Sequence, residues 1–261
     1  MDQIIFGVIA GVIAAGLIEV GRLVFAYYVR GKFKDVFGAD LFSSDGLHLV
    51  YAQLSLRPLR DEHGDISNYP YEKPGNERSG VFFSIDRPVS SCELRAAKYL
   101  SAIMGKEANN TPLLSSDFEL RDRLNISFVS FGGPDSNLKS RDVITNDAND
   151  LLTLTDQGFT SVLSNRVVQR PQSEFDYGLI LKIHPTQFPE RTWLICAGFG
   201  EWGSSGAAWY LAFKWRKIQK YAKNNPFAIV VRVRPEQDEF AEPVIRVQSP
   251  SDAERYANRI T

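Results

Sequence analysis

The first 34 residues differ from the rest of the chain in their pattern of apolar positions. Residues 4–18 include no charged side chain, and apolar residues continue past Glu19 and Arg22 to residue 29. Because a helix rises about 1.5 Å per residue, a helix over this stretch exceeds the roughly 30 Å core of a bilayer. The pattern predicts an N-terminal single transmembrane helix, with residues 1–34 forming the anchor and its basic flank.

Charges on the two sides of this segment predict its orientation. Arg30, Lys32 and Lys34 follow the apolar run, whereas no Lys or Arg precedes it. Under the positive-inside rule the N-terminus lies outside and the C-terminal domain is cytoplasmic, with the lipid bilayer as a partner. The chain begins Met-Asp-Gln, without the positive start of a signal peptide, so we expect no cleavage.

Four residues of the predicted span suggest a role beyond anchoring. Gly7 and Gly11 form a G-x-x-x-G pattern, which lets two membrane helices approach closely and predicts a homo-oligomer. Glu19 and Arg22 are three residues apart, so they share a helical face and can neutralise each other. Alternatively, the glycines are ordinary components of a membrane helix, and the two charged side chains reach the interface.

Beyond a juxtamembrane linker (residues 35–46), residues 47–261 alternate between strand-like and helix-like segments. Helices are predicted from Ser90 or Ser91 to about Gly105 and over residues 207–221. Strands are predicted over residues 47–56, 81–85, 126–131, 177–183, 193–197, 227–233 and 244–247. Two apolar strands end in glycine-rich turns, as in parallel sheets. The predicted fold class is α/β, a Rossmann-like mostly parallel sheet with flanking helices.

Composition excludes several classes of function. The formal net charge is −1, so no long-range field attracts nucleic acid, and we expect no bulk nucleic acid as a partner. Cys92 and Cys196 lie in separate apolar stretches, which predicts buried thiols. The histidines His48, His63 and His184 lack the spacing of metal ligands, so we expect no metal and no cofactor.

A glycine-rich segment, called here the 198–206 loop, follows the strand predicted over residues 193–197 and contains G-x-G-x-x-G. Glycines let a ligand approach the backbone, and the helix start offers N–H groups to an anion. Two serine hydroxyls can contact a phosphate, and the indole can stack on a base. The predicted ligand-binding residues are Gly198, Gly200, Glu201, Trp202, Gly203, Ser204 and Ser205. The alternative is a turn that only packs and caps the helix.

A second loop, called here the 132–137 loop, follows the strand predicted over residues 126–131. Its predicted ligand-binding residues are Gly132, Gly133, Pro134, Ser136 and Asn137. Loops at the carboxyl ends of neighbouring parallel strands form one cleft, so the two loops together predict a pocket for a phosphate-bearing small molecule. The alternative is a Gly-Pro turn with an asparagine cap.

With a membrane helix before these two loops, the chain resembles the SLOG and TIR-like Rossmannoid nucleotide-sensor domains of bacterial conflict (anti-phage) systems. The resemblance covers residues 47–247 as architecture and the two loops as motifs. It implies a membrane-anchored cytosolic sensor or effector that recognises a nucleotide-like small molecule and uses the membrane helix as its output.

Two other functions remain open. Glu201 is a candidate catalytic acid or base for cleavage of an N-glycosidic or phosphoester bond, with Asp117 and Glu119 able to reach the same cleft. The other alternative is a non-catalytic membrane scaffold whose glycine-rich loops only turn the chain.

Overall fold

The computed structural model describes residues 2–44, 46–54, 59–60, 66–67 and 88–259, with side chains from Ala15 onward except in the segments 59–60 and 66–67. The strand predicted over residues 81–85 lies outside this set. The helices are α1 (Asp2–Phe37), α2 (Ser91–Ala108), α3 (Leu138–Ile144), α4 (Glu201–Phe213), α5 (Trp215–Ala222) and α6 (Pro250–Ala257). Short 3-10 helices are Asp40–Phe42 and Asp238–Phe240.

The strands form one large sheet and two small ones. The large sheet has seven strands in the order β12-β11-β9-β10-β5-β1-β4. The strands are β1 (His48–Tyr51), β2 (Leu59–Arg60), β3 (Ile66–Ser67), β4 (Leu113–Ser116), β5 (Phe128–Phe131), β6 (Leu152–Thr155), β7 (Gly158–Ser161), β8 (Val167–Gln169), β9 (Asp176–Ile183), β10 (Trp193–Gly198), β11 (Phe227–Val233) and β12 (Glu242–Val247).

Strand direction divides the large sheet into two halves. β4, β1, β5 and β10 are parallel neighbours. β9 is antiparallel to both β10 and β11, and β12 is antiparallel to β11. All strands of this sheet except β9 and β12 therefore point the same way. The predicted α/β class, with a mostly parallel sheet and flanking helices, is confirmed.

Helices and a small sheet cover the two faces of the large sheet. One apolar core joins it to α1, α2, α4 and α5. The other core joins it to α3, α6 and the three-stranded sheet β6-β7-β8. Sequence analysis misses this small sheet, whose strands are short and rich in threonine. It also predicts one helix over residues 207–221, where the structure has α4 and α5 separated at Lys214.

Helix α1 runs without a break from Asp2 to Phe37, over 36 residues. The sequence predicts that it spans a membrane. Within the part of the chain that the structure describes, no helix has both the length and the apolar character that a membrane span requires.

Several residues of the segment predicted as a linker, residues 35–46, are buried in the apolar core. Helix α1 extends into it, and its last turns bury Phe33 and Phe37 in the core. The Phe33 ring meets the ring of Trp215 on α5 edge to face, with centroids 4.9 Å apart. Leu41, in the following 3-10 helix, is also fully buried. Aromatic burial of this kind docks the end of α1 firmly onto the domain.

A buried lysine reinforces this junction. The Lys182 ammonium, on β9, donates to the carbonyl of Asp35 at 2.6 Å and to the side-chain oxygen of Asn224 at 3.0 Å. Burial lowers its pKa to about 8, and the charge of Asp35 opposes that shift. A cation at a helix C-terminus compensates the carbonyl groups that lack partners there. Lys182 therefore connects α1 directly to the central sheet.

Candidate ligand-binding crevice

The topology of the large sheet indicates a candidate crevice at the carboxyl ends of β1 and β5. Helix α2, which comes after β1, packs on one face of the sheet, whereas α3, which follows β5, packs on the other. Adjacent parallel strands whose connections leave toward opposite faces open a crevice at their carboxyl ends, where α/β proteins bind ligands. This crevice is bordered by the end of β1, the first turn of α2 and the 132–137 loop.

Glu93, in the first turn of α2, is the principal side chain of the crevice. Its Oε2 accepts a hydrogen bond from the Ala52 N–H at 3.0 Å, just past the end of β1. Its Oε1 faces the backbone of Gly132, since a Cβ added there would lie 3.0 Å from it. Among the residues that the structure describes, none donates a hydrogen bond to Oε1. Within the described part of the chain, that carboxylate oxygen therefore accepts no hydrogen bond.

The surroundings of Glu93 change its acidity. Only 4% of the residue is exposed. Burial raises its pKa to about 7, the Ala52 hydrogen bond opposes this, and the charge of Asp117 adds to it. A carboxyl group with this pKa exists in both protonation states near neutrality, so it can donate or accept a proton.

Asp117 and Asn137 build the frame of the crevice. Asp117 accepts from the Gln53 N–H at 2.8 Å and from the Leu138 N–H at 2.9 Å, which ties the end of β1 to the start of α3. Asn137 caps α3 by accepting from Lys139 N at 2.9 Å. Its amide donates to the carbonyls of Val50 and Phe131, at the ends of β1 and β5. The asparagine-cap alternative is thus present, and the polar atoms of Asn137 are already bonded.

The remaining residues of the 132–137 loop form a tight turn. Gly132 has φ +85°, a conformation that side chains disfavour, and a Cβ there would also lie 3.0 Å from the Ser136 hydroxyl. Ser136 donates to the Gly133 carbonyl at 3.1 Å, and Pro134 accepts from Arg141 at 3.1 Å. Gly132 therefore brings bare backbone next to Glu93.

The 198–206 loop has a different role in the structure. The carboxylate of Asp176 accepts from the Gly200 N–H at 3.1 Å and from the Gly203 N–H at 2.7 Å. These are the N–H groups of the α4 start that sequence analysis assigns to a phosphate. Because an internal carboxylate already caps them, the helix start is not free to bind an anion.

Glycines of the 198–206 loop allow α4 to pack against the sheet. A Cβ on Gly203 would overlap the backbone of Tyr177, with the carbonyl carbon only 2.7 Å away. A Cβ on Gly198 would lie 2.6 Å from the backbone carbon of Gly203. Such distances leave no room for a side chain, so these glycines serve close helix–sheet contact. The geometry favours the alternative that the loop packs and caps.

The other predicted residues of this loop have internal partners or are buried. Trp202 lies under the Arg95 guanidinium, 4.0 Å from its ring centroid, so one side of the indole is covered. The Ser205 hydroxyl donates to Asp238 at 2.7 Å, and Ser204 is buried. A base stacked on Trp202, or a phosphate bound by Ser205, would therefore have to displace contacts that the fold already makes.

Glu201, the predicted catalytic residue, is exposed at the first position of α4. Burial raises the pKa of the Cys92 thiol, the Ser90 hydrogen bond opposes this, and the charges of Glu93 and Glu201 raise it further. The first turn of α2 thus lies near both predicted loops. The structure brings Glu201 to the same edge of the sheet as the 132–137 loop, with Glu93 as the carboxylate that contacts that loop.

The four residues predicted to act in the membrane all lie in α1. Arg22 and Glu19 share a face as predicted, with an Nη1 to Oε2 distance of 3.9 Å. Gly7 and Gly11 precede Ala15, and their surroundings are outside the described residues.

The chain matches no protein-family model, no curated protein and no solved structure. Glu93 is not among the site residues that the sequence predicts. One available signal is its place: an acidic residue in the first turn of the first helix predicted within residues 47–261. Helices at that place border the ligand crevice of open α/β sheets.

Proposed function

We propose that this chain is a membrane-anchored nucleotide sensor whose crevice at the carboxyl ends of β1 and β5 binds a ribose-bearing small molecule. One observation carries the proposal. The buried carboxyl of Glu93 keeps Oε1 without a partner in the described residues, directly opposite the bare backbone of Gly132. Glu93 is only 4% exposed, so its carboxylate is poorly hydrated and a ligand that donates a hydrogen bond to Oε1 gains affinity.

Ribose hydroxyl groups fit this chemistry. In Rossmann-like domains a carboxylate at the strand ends accepts hydrogen bonds from ribose hydroxyls. Gly132 and Gly133 add no side chain that would keep a sugar from Glu93. The resemblance to SLOG and TIR-like domains agrees with a nucleotide signal and with a role in bacterial defence. Occupancy reaches α1 through α2, which packs against it in the same apolar core.

Attachment to the membrane through α1 is part of this proposal. Exposed apolar side chains occur all along residues 17–28, among them Leu17, Val24 and Phe25 at 64–68% exposure. The preceding residues 4–18 carry no charge in the sequence. A helix with apolar side chains on all sides is typical of a membrane segment. The basic residues 30, 32 and 34 support a cytoplasmic domain under the positive-inside rule, and G-x-x-x-G supports self-association.

Membrane attachment has a direct test. We expect the full chain to stay in the membrane pellet after extraction with alkaline carbonate. The double substitution Ile9→Lys and Val12→Lys should release it, because each lysine at mid-membrane costs about 3 kcal/mol. Leu94→Lys, which adds a charge at an exposed leucine of α2, is the control and should leave the chain in the pellet. Release of the unsubstituted chain would contradict the anchor.

The second candidate is an enzyme that cleaves a nucleotide at an N-glycosidic or phosphoester bond. The observation in its favour is the Glu93 pKa of about 7, which suits a general acid or base at neutral pH. Glu93 replaces Glu201 in this role because Glu93 is the carboxylate that contacts Gly132. The scaffold alternative requires no ligand in the crevice.

Thermal stability of the full chain against nucleosides, nucleotides, dinucleotides and cyclic nucleotides separates these functions. We expect a shift of several degrees for one ribose-bearing class, and a smaller or no shift in Glu93→Gln. The same ligand recovered intact by mass spectrometry supports the sensor, whereas a cleaved ligand makes the protein an enzyme. No shift with any class would contradict both and leave the scaffold.

A further inference from the structure

A cavity lies at the carboxyl end of β11. Since β11 points the same way as β1, β5 and β10, the cavity is on the same edge of the sheet as the crevice. Its volume is about 340 Å³, within the range of small-molecule sites. It is lined by Phe175, Arg232, Arg234, Gln237, Phe240 and Glu242. We call it the Arg234 pocket.

Charge in the Arg234 pocket is not balanced. Arg232 donates to Glu242 at 2.9 Å, which compensates its charge. Arg234 forms no ion pair with any carboxylate that the structure describes. Its guanidinium lies 5.7 Å from the ring centroid of Phe175, and Arg232 lies 5.1 Å from the same centroid. One uncompensated guanidinium therefore faces an aromatic-lined cavity, an arrangement suited to a carboxylate or a phosphate.

The wall of the pocket is held in place from behind. Gln237 and Phe240 flank the buried Asp238, which accepts from the Ser205 hydroxyl at 2.7 Å, the Tyr99 hydroxyl at 3.1 Å and the Arg95 guanidinium at 3.2 Å. A preformed wall reduces the entropy that binding must overcome.

Backbone strain occurs at the same turn. Glu236 has φ +66°, a left-handed conformation that residues other than glycine seldom adopt. Strain of this kind persists where the surrounding structure fixes it, often beside functional sites. Glu236 lies in the chain between Arg234 and Phe240, which both line the cavity.

We infer that the Arg234 pocket binds a small organic anion, in which a phosphate or carboxylate is attached to a planar body. Arg234 takes the acid group by paired hydrogen bonds, and the ring of Phe240, which is 64% exposed, contacts the planar body. The inference is independent of the Glu93 crevice and holds whether or not that crevice binds a nucleotide.

Saturation-transfer NMR on the full chain tests the pocket with three probes. Phenyl phosphate and benzoate differ in their acid group, and benzyl alcohol is the neutral control. We expect at least one anion to bind and benzyl alcohol not to bind, with the tighter anion showing which acid is preferred. Arg234→Gln should weaken binding about tenfold because a charge-assisted hydrogen bond is lost. Arg246→Gln, at an exposed arginine outside the pocket, should leave the affinity unchanged.

Three results would overturn the inference. Binding of benzyl alcohol as tight as that of the anions would show that charge has no role. Unchanged affinity in both Arg234→Gln and Phe240→Ala would show that the anions do not bind in the Arg234 pocket. Loss of binding in Glu93→Gln with retention in Arg234→Gln would place the anions in the crevice instead.

Discussion

Glu93→Gln is expected to abolish a pH dependence of stability. The native protein should lose unfolding free energy as the pH rises from 4.5 to 7, whereas the variant should not. The pKa of Glu93 is raised from 4.5 to about 7 in the folded state. Over this window the folded chain holds a proton that the unfolded chain has released. Its contribution is therefore complete below pH 4.5 and is lost as the pH rises through about 7. The shift corresponds to about 3 kcal/mol of unfolding free energy.

Urea titrations of the full chain in a mild detergent, at pH values from 4.5 to 8, measure this effect. The quantity of interest is the difference in unfolding free energy between native protein and variant, since other groups titrate alike in both. Glu174→Gln removes a carboxylate from an exposed position and should keep the decline of the native protein. A decline of equal size in Glu93→Gln would show that Glu93 is not the titrating group.

Replacing Gly203 by alanine is expected to destabilise the protein by about 3 kcal/mol. The new methyl group would overlap the backbone of Tyr177 and lie 2.9 Å from the Asp176 carboxylate that caps α4. Backbone atoms on both sides cannot move away cheaply, because they belong to β9 and α4. The same urea titration measures the change.

Gly105→Ala is the matched control. Gly105 lies inside α2, where nothing occurs within 4 Å of an added Cβ. Alanine there should stabilise the protein by up to about 1 kcal/mol, through helix propensity alone. Equal, small effects of the two substitutions would contradict the packing role of the 198–206 loop and restore the possibility of a ligand-binding turn.

Strongly apolar strands are the part of the fold that sequence predicts best. The bounds of β11 agree with the predicted residues 227–233, and β9 and β10 each differ by one residue. These strands are buried on both faces, so their hydrophobic pattern is unmistakable. By contrast β4 is an edge strand of Leu-Leu-Ser-Ser, whose two leucines are exposed, and its pattern carries no signal.

The candidate site is harder to predict than the strands, because the residues that determine it are far apart in the sequence. The G-x-G-x-x-G pattern has the same letters whether its N–H groups bind a phosphate or an internal carboxylate. Asp176 decides between them, and it lies 24 residues before Gly200. The helical pattern likewise gives no sign that Glu93 is buried. Its burial depends on Ala52 and Gly132, which are distant in sequence and lie beside it in the fold.

The central claim is that the carboxylate of Glu93 accepts hydrogen bonds from a ligand in the crevice. Calorimetric titration of the full chain with the ligand class that shifts its melting temperature tests this at pH 6 and pH 8. Because ionisation of Glu93 supplies the acceptor, affinity should rise between these values in the native protein and stay constant in Glu93→Gln. The same affinity in both proteins at both pH values would contradict the account.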